Sequence, residues 1–366
     1  MTPPTTPPAQ QQFPCKQCGA ALKFEPGHDS LKCPYCGMEN SLAPVKEVIE
    51  ALDFQAQLRA LAEGEPEHDT VTVKCAACAA ETTLPPNETA DMCPFCGAPI
   101  VATGSSKKAI RPKSLLPFKV NKDQACERFR KWVSGLWFAP SALAKNAERA
   151  AIHGTYLPAW TYDSDTYTDY TGERGDDYTE TETYTTTENG QAVTRTREVI
   201  KTRWSYASGR VAERFDNVLV MASSSLPPRH LNALQPWDLE NLVPYADEYL
   251  SGFVSESYQV DLPDGFEKAR AIMDVAIRRT IERAIGGDHQ RISSVNTSYD
   301  NVMFKHLLLP VWISAYRYLE KVYHFLVNAR TGEVRGERPY STMKIALAVL
   351  VAVLIVVILF FLMHRR

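Results

Sequence analysis

The apolar residues change their spacing several times along the chain, and each spacing predicts a different element. In residues 264–286, Ala269, Ile272, Ala276, Ile277, Ile281 and Ile285 recur at helical spacing, and Gly286-Gly287 stops the helix. In residues 44–62, Val45, Val48, Ile49 and Leu52 share one stripe, which Phe54, Leu58 and Leu61 extend. This predicts an amphipathic helix. Residues 152–222 alternate large and short polar side chains, a strand pattern, with a tight turn at Glu188-Asn189-Gly190. Three more strands are expected in RISSVNTSY, PVWISAYRYL and KVYHFLVNA, with a turn at Thr331-Gly332. A fainter correspondence links Leu157-Pro158-Ala159-Trp160 to Leu309-Pro310-Val311-Trp312, each followed by a Thr-Gly step read as a turn (Thr171-Gly172 and Thr331-Gly332). Finally, Ile345 to Met363 is nineteen apolar residues with no charge, glycine or proline. As a helix this run is ~28 Å long, close to the ~30 Å hydrocarbon core of a bilayer.

The 366 residues allow two or three globular units. Hydrophobic residues at 45% and charged residues at 23% exclude wholesale disorder. The mean hydropathy of −0.25 excludes a multi-span membrane protein. The fold class expected is multi-domain: two small β zinc ribbons, an α+β central domain and one C-terminal transmembrane helix. The expected boundaries are a disordered tail (1–12), ribbon 1 (13–43), a helical linker (44–70), ribbon 2 (71–104), a basic linker with helices (105–154), the α+β domain (155–343), the membrane helix (344–363) and a short tail (364–366).

Cysteine carries the most specific chemistry. Eight of the nine cysteines form four Cys-x-x-Cys pairs: Cys15 and Cys18, Cys33 and Cys36, Cys75 and Cys78, Cys93 and Cys96. Fourteen residues separate the pairs in each set, and the second set follows the first by 60 residues at every position. This is the signature of an internal duplication. Two residues between cysteines let one tight turn aim two sulfurs at one ion, and two turns complete a tetrahedron of thiolates. Gly19, Gly37 and Gly97 follow three of the turns, and Ala79 follows the fourth. All eight cysteines are the expected ligands of two structural Zn²⁺ ions. Four cysteines leave no open position for water, so a hydrolytic metal is not expected.

Charge narrows the partners. Net charge is −3, from 40 Lys+Arg against 43 Asp+Glu, whereas a non-specific nucleic-acid binder is strongly basic. The ribbons are neutral to acidic, which favours protein over nucleic acid as their partner. Residues 105–131 form a local +7 stretch, open to two readings: a solvated linker, or a contact with anionic headgroups. Residues 163–188 hold nine acidic residues and one arginine without a calcium-loop pattern, and read as a solvated hairpin. No P-loop, His-Glu-x-x-His, Gly-x-Ser-x-Gly or dinucleotide fingerprint is found, so no enzymatic activity is expected. Cys126 and His324 read as packing residues, and a triad assembled in space stays open.

Arg330, Arg335, Arg338 and Lys344 flank the apolar run on one side, Arg365 and Arg366 on the other. This bias, with the absence of a leader pattern at MTPPTTPPAQQQ, places the large N-terminal part on the cytoplasmic side of a bacterial membrane, held by a tail anchor. The CPYCG and CPFCG knuckles, with GTYLPAWTYD, FDNVLVMAS, LVPYADEYLSGF, LLLPVWISAYRY and NARTGEVRGERPYS, resemble a bacterial family of TFIIB-type zinc-ribbon proteins. Its members are often labelled primosomal protein N′ (replication factor Y), superfamily II helicase. A helicase motor needs ATP-binding motifs that this chain lacks. The resemblance implies a non-enzymatic membrane adaptor, acting with flotillin-like (SPFH-domain) scaffolds in membrane organisation or envelope stress. The alternative is a membrane-tethered nucleic-acid factor using the 105–131 stretch with Trp132 and Trp137.

Overall fold

A computed structural model describes residues 13–42, 48–63, 69–75, 77–78, 80–83, 90–96, 98–101, 105–108, 110–140, 152–188, 191–318, 321–337 and 340–364. The expected tail at 1–12, Val45, Ala79, Gly97, the Asn189-Gly190 turn, Arg338, Arg365 and Arg366 lie outside them. The first cysteine set is carried by β1 (Lys23–Phe24), β2 (Ser30–Lys32) and β3 (Glu39–Ser41). β4 (Leu52–Asp53) leads into α1 (Phe54–Glu63). The second set lies among β5 (Asp69–Lys74), β6 (Glu81–Thr83), β7 (Ala90–Met92), β8 (Pro99–Val101) and β9 (Ser105–Lys108). Then come β10 (Ser114–Leu115), α2 (Lys122–Ser134), β11 (His153–Glu188), β12 (Gln191–Met221), the short α3 (Pro228–Asn232), β13 (Val243–Pro244) and β14 (Val254–Glu256). The order ends with α4 (Leu262–Ile285), β15 (His289–Tyr318), β16 (Lys321–Asn328), β17 (Val334–Gly336) and α5 (Thr342–His364).

β11 is the spine. Its 36 residues span ~120 Å at ~3.3 Å each. β15 runs antiparallel along one edge, from His153 opposite Ile313 to Gly175 opposite His289. β12 runs antiparallel along the other, from Ala159 opposite Met221 to Glu188 opposite Gln191. Beyond Gly175, among the described residues, only β12 accompanies β11, so the sheet narrows to a two-stranded arm. Cross-strand pairs hold this arm: Lys201 bonds Glu180 and Glu182 at 2.8 and 3.0 Å, and Arg197 bonds Glu182 at 3.1 Å. The acidic 163–188 segment finds its cations on both neighbours: β12 pairs Asp169, Glu180 and Glu182, and Lys305 and Arg291 of β15 pair Asp163 and Glu173. The central region is mostly β, with α4 as its longest covering helix.

Three expectations change. RISSVNTSY and PVWISAYRYL are one strand, because Met303 to Leu309 between them pair with β11 and a bulge at Asn301, φ 51°, takes up one extra residue. Thr171-Gly172 is not a turn but a register shift inside β11, whereas Thr331-Gly332 does turn, with Gly332 at φ 76°. The helix expected over 44–62 begins only at Phe54. The Asp53 carboxylate accepts the Ala56 N–H at 2.6 Å and caps the helix there, while Leu52 pairs with Phe304 as a strand.

Proline would normally break a central strand. Pro158 in β11 falls between the end of the β14 ladder and the start of the β12 ladder, so no donor is missed. Pro310 in β15 falls likewise between β10 and β16. Each proline carbonyl accepts the N–H of the alanine that follows its neighbour, Ala222 at 2.9 Å and Ala329 at 3.0 Å. The correspondence extends further. The Trp160 indole donates to the Val260 carbonyl just before α4, and the Trp312 indole donates to the Val120 carbonyl just before α2, both at 2.8 Å. The two Leu-Pro-x-Trp segments therefore each anchor the entry of one helix. α4 closes one face of the sheet through Ala269, Met273, Ile277, Ile281 and Ile285, all buried. α2 buries Ala125, Phe129 and Val133, with Phe129 stacked on Phe325.

Candidate metal centres

Each Cys-x-x-Cys turn is built the same way. The N–H of the first cysteine donates to a carbonyl five residues on: Cys15 to Ala20, Cys33 to Met38, Cys75 to Ala80 and Cys93 to Ala98, at 2.8 to 2.9 Å. Gly19 and Gly37 then donate back to Cys15 and Cys33 at 2.9 and 3.1 Å. Both glycines have φ near +70°, which a side chain would resist. This small hairpin points both sulfurs the same way.

The result is two groups of four sulfurs, Cys15, Cys18, Cys33 and Cys36, and Cys75, Cys78, Cys93 and Cys96, each with all Sγ atoms within 4.8 Å of one another. Between turns, Cys15 to Cys36 and Cys18 to Cys33 are 3.5 Å apart, and Cys75 to Cys96 and Cys78 to Cys93 are 3.6 Å apart. A Zn–S bond of ~2.3 Å implies a tetrahedral edge of ~3.8 Å, so the sulfurs fit one ion per group with a small expansion. Backbone donors favour thiolate: the Cys36 N–H leads in holding the Cys33 thiol down to about 6. In the second group the Cys93 thiol holds Cys78 down to about 5. Burial pushes other sulfurs of the same groups up, Cys36 to about 12 and Cys96 to about 11; a closed set of four cysteines suits a structural metal such as zinc, which binds them as thiolates.

The two centres differ in how they meet the rest of the chain. In both, the first cysteine of each pair is buried: Cys15, Cys33, Cys75 and Cys93. In the first, Leu22, Phe24 and Leu31 join Phe118, Tyr156 and Trp312 in one apolar cluster. The Phe24 N–H donates to the Ser251 carbonyl at 3.0 Å, and the Gly27 N–H to the Phe118 carbonyl at 2.9 Å. In the second, β6 pairs with β14, which pairs with β11, so β5, β6 and β9 extend the central sheet. Val73, Cys75, Cys93 and Phe95 share a cluster with Leu157 and Leu309.

The chain is 25% identical over 339 residues to the uncharacterized protein YdjG of Bacillus subtilis (strain 168), covering 91% of this chain and 92% of that one. No family model and no solved structure matches it.

Neighbouring residues explain much of the docking. Segment 249–256 touches both centres: Tyr249 and Phe253 pack on Phe24, and Glu256 pairs opposite Thr82. Gly154 lets Phe253 lie against β11, where a Cβ would collide with its ring. Glu256 is buried, contacts the Ser225 hydroxyl, and is pushed up to about 8 by burial. The structure also separates two equivalent knuckle residues. Tyr35, between Cys33 and Cys36, is 83% exposed, whereas Phe95, between Cys93 and Cys96, is 0% exposed. Spacing alone carries no sign of that difference. Cys126 packs against the first cluster.

Proposed function

We propose that the protein is a non-enzymatic, membrane-anchored adaptor, held through α5, with its zinc centres and β-arm on the cytoplasmic side. The observation that carries this reading is the contrast between the knuckles. Ribbon 2 uses its knuckle aromatic, Phe95, to dock on the central sheet. Ribbon 1 docks through its strands and presents Tyr35 to solvent. An exposed tyrosine on a rigid metal-held turn is a low-entropy anchor for a protein partner. α5 is long and apolar enough to cross a membrane, and none of it is buried. The closed four-sulfur sets give the metals a structural task. The resemblance noted from the sequence points to SPFH-domain scaffolds as the class of partner. Charge around ribbon 1 is balanced, with Lys32 spent on Glu25 at 3.6 Å, which leaves little for phosphate.

The test is crosslinked purification of the full-length protein from membranes, with and without nuclease, beside Tyr35→Ala. Nuclease-resistant protein partners that are lost in the variant support the reading. Partners that nuclease removes would replace it with the membrane-tethered nucleic-acid role.

A further inference from the structure

The turn after α2 lies against the root of α5. The Ser341 N–H donates to the Phe138 carbonyl at 2.8 Å, and the Lys344 ammonium donates to the Ala139 carbonyl, also at 2.8 Å. Between the two segments runs an apolar groove of about 740 Å³. Val133, Leu136 and Ala139 form one wall; Leu347, Ala348 and Val351 form the other. Trp137 stands at the groove, 80% exposed, and Phe138 is 40% exposed. These are the two large apolar side chains that α2 and its turn leave in water.

We propose that residues 133–140 are a second membrane-contacting element, a shoulder seated in the interface, and that the groove holds an acyl chain of an anionic phospholipid. The proposal rests on α5 being a membrane span. Three observations identify the occupant. First, half of the groove belongs to the first turns of the span: Leu347 to Val351 lie ~7–14 Å along α5 from Thr342, so the groove sits at the depth where headgroups give way to hydrocarbon. Second, the exposed residue at that level is a tryptophan, the side chain whose amphipathic ring favours the interface. Third, Arg130 and Lys131 are exposed on the last turns of α2, next to the groove in sequence, and suit an anionic headgroup. Lys344, the one charge in the groove wall among the described residues, is already bonded to a carbonyl. Trp137, which composition alone offered as a nucleic-acid platform, is placed by the fold at the base of the anchor.

The experiment uses the full-length protein in vesicles of phosphatidylcholine with one-quarter phosphatidylglycerol. Flotation reports the span. The Trp137 signal is the emission of the wild type minus that of Trp137→Phe, recorded with lipids brominated near the carbonyl end or near the methyl end of the chain. The expected result is flotation of both proteins, with the Trp137 signal at least roughly halved by the shallow bromines and less affected by the deep ones. A second variant, Ala348→Phe, fills the groove from the lipid-facing helix without touching the core. It should lose phosphatidylglycerol that the wild type retains through detergent exchange. Flotation with an unquenched Trp137 signal overturns the shoulder while leaving the span in place. Equal phosphatidylglycerol retention by Ala348→Phe overturns the acyl-chain site. Failure to float removes the span and this proposal with it.

Discussion

Phe95→Ala and Tyr35→Ala test the docking of the ribbons most directly, because the two residues hold the same place in otherwise matching turns. Phe95 is fully buried among Cys75, Leu157, Leu309 and their neighbours. Its removal loses the transfer energy of a phenyl ring and leaves a cavity between ribbon and sheet, at about 3–5 kcal/mol. Tyr35 is 83% exposed, so its removal should stay within about 0.5 kcal/mol. For a chain of this size the Phe95 loss lowers the unfolding midpoint by on the order of 10 °C. The assay is thermal unfolding of the full-length, metal-loaded protein in detergent, followed by far-UV circular dichroism and by metal release. Because ribbon 2 extends the central sheet, both signals should move down together in Phe95→Ala. A separate early metal release with an unchanged main transition would show that ribbon 2 folds apart from the sheet. Equal destabilisation by the two variants would refute the asymmetry itself.

Three further outcomes are expected. Metal analysis of the full chain should return two zinc ions, and Cys93→Ser should lower that to one while shifting the main transition; none or one in the wild type refutes the paired centres. Gly265→Ala gains about 1 kcal/mol of helix propensity. Its Cβ, however, would collide with the Tyr162 hydroxyl and come within 2.9 Å of Trp160 Cδ1. Overpacking of about 1–3 kcal/mol, with strain on the Tyr162–Leu262 and Trp160–Val260 bonds, makes net destabilisation the expected result in chemical denaturation. The pH profile follows from two buried groups. Glu256 keeps its proton up to about 8 in the fold but from 4.5 in the unfolded chain, so its contribution is present below 4.5 and is lost as pH rises to 8. His306, lowered to about 4 by burial, opposes this: its contribution is present above 6.5 and is lost as pH falls to 4. The two slopes oppose each other between 4.5 and 6.5, and stability should then fall by about 2 kcal/mol from pH 6.5 to 8. Glu256→Gln should abolish that fall; an unchanged profile would show that Glu256 is not held neutral.

The ligands were legible in the sequence because their chemistry is local: two residues between cysteines decide the aim of the sulfurs. The apolar run of α5 and most of the stripe of α4 were legible for the same reason, but Ile272, expected on that stripe, is 51% exposed and Met273 is buried instead. Misreadings arose where one side chain overrides a pattern. Asp53 caps α1 in the middle of an apparently continuous amphipathic stripe. RISSVNTSY and PVWISAYRYL read as two strands, yet the residues between them pair with β11, with one bulge at Asn301, φ 51°. Pro158 and Pro310 look like strand ends but sit where one neighbouring ladder gives way to another. The docking of the ribbons was not legible. Whether Tyr35 or Phe95 is buried depends on residues such as Leu157 and Leu309, far away in the chain.

That docking bears on the adaptor role proposed above. In that proposal a partner at ribbon 1 would pull on a module that, alone, would be a loop closed by metal. Here Cys15, Cys33, Leu22 and Phe24 belong to the same apolar cluster as Phe118, Phe129, Trp312, Phe325 and Ala139. Phe118 is the hinge of that cluster: stacked on Phe253 at 4.0 Å beside ribbon 1, and edge-on to Trp312 at 5.1 Å beside the β15 and β16 strands. Phe129 carries the packing into α2 through Phe325, and the turn after α2 is bonded to Ser341 and Lys344 at the root of α5. Ribbon 1 is therefore joined to α2 by close-packed side chains, and the turn after α2 is joined to α5 by two hydrogen bonds. Close-packed interiors have low compressibility and transmit strain. The α2 portion of the basic 105–131 stretch is not a free tether, because Ala125 and Phe129 belong to the same cluster as Cys15 and Cys33.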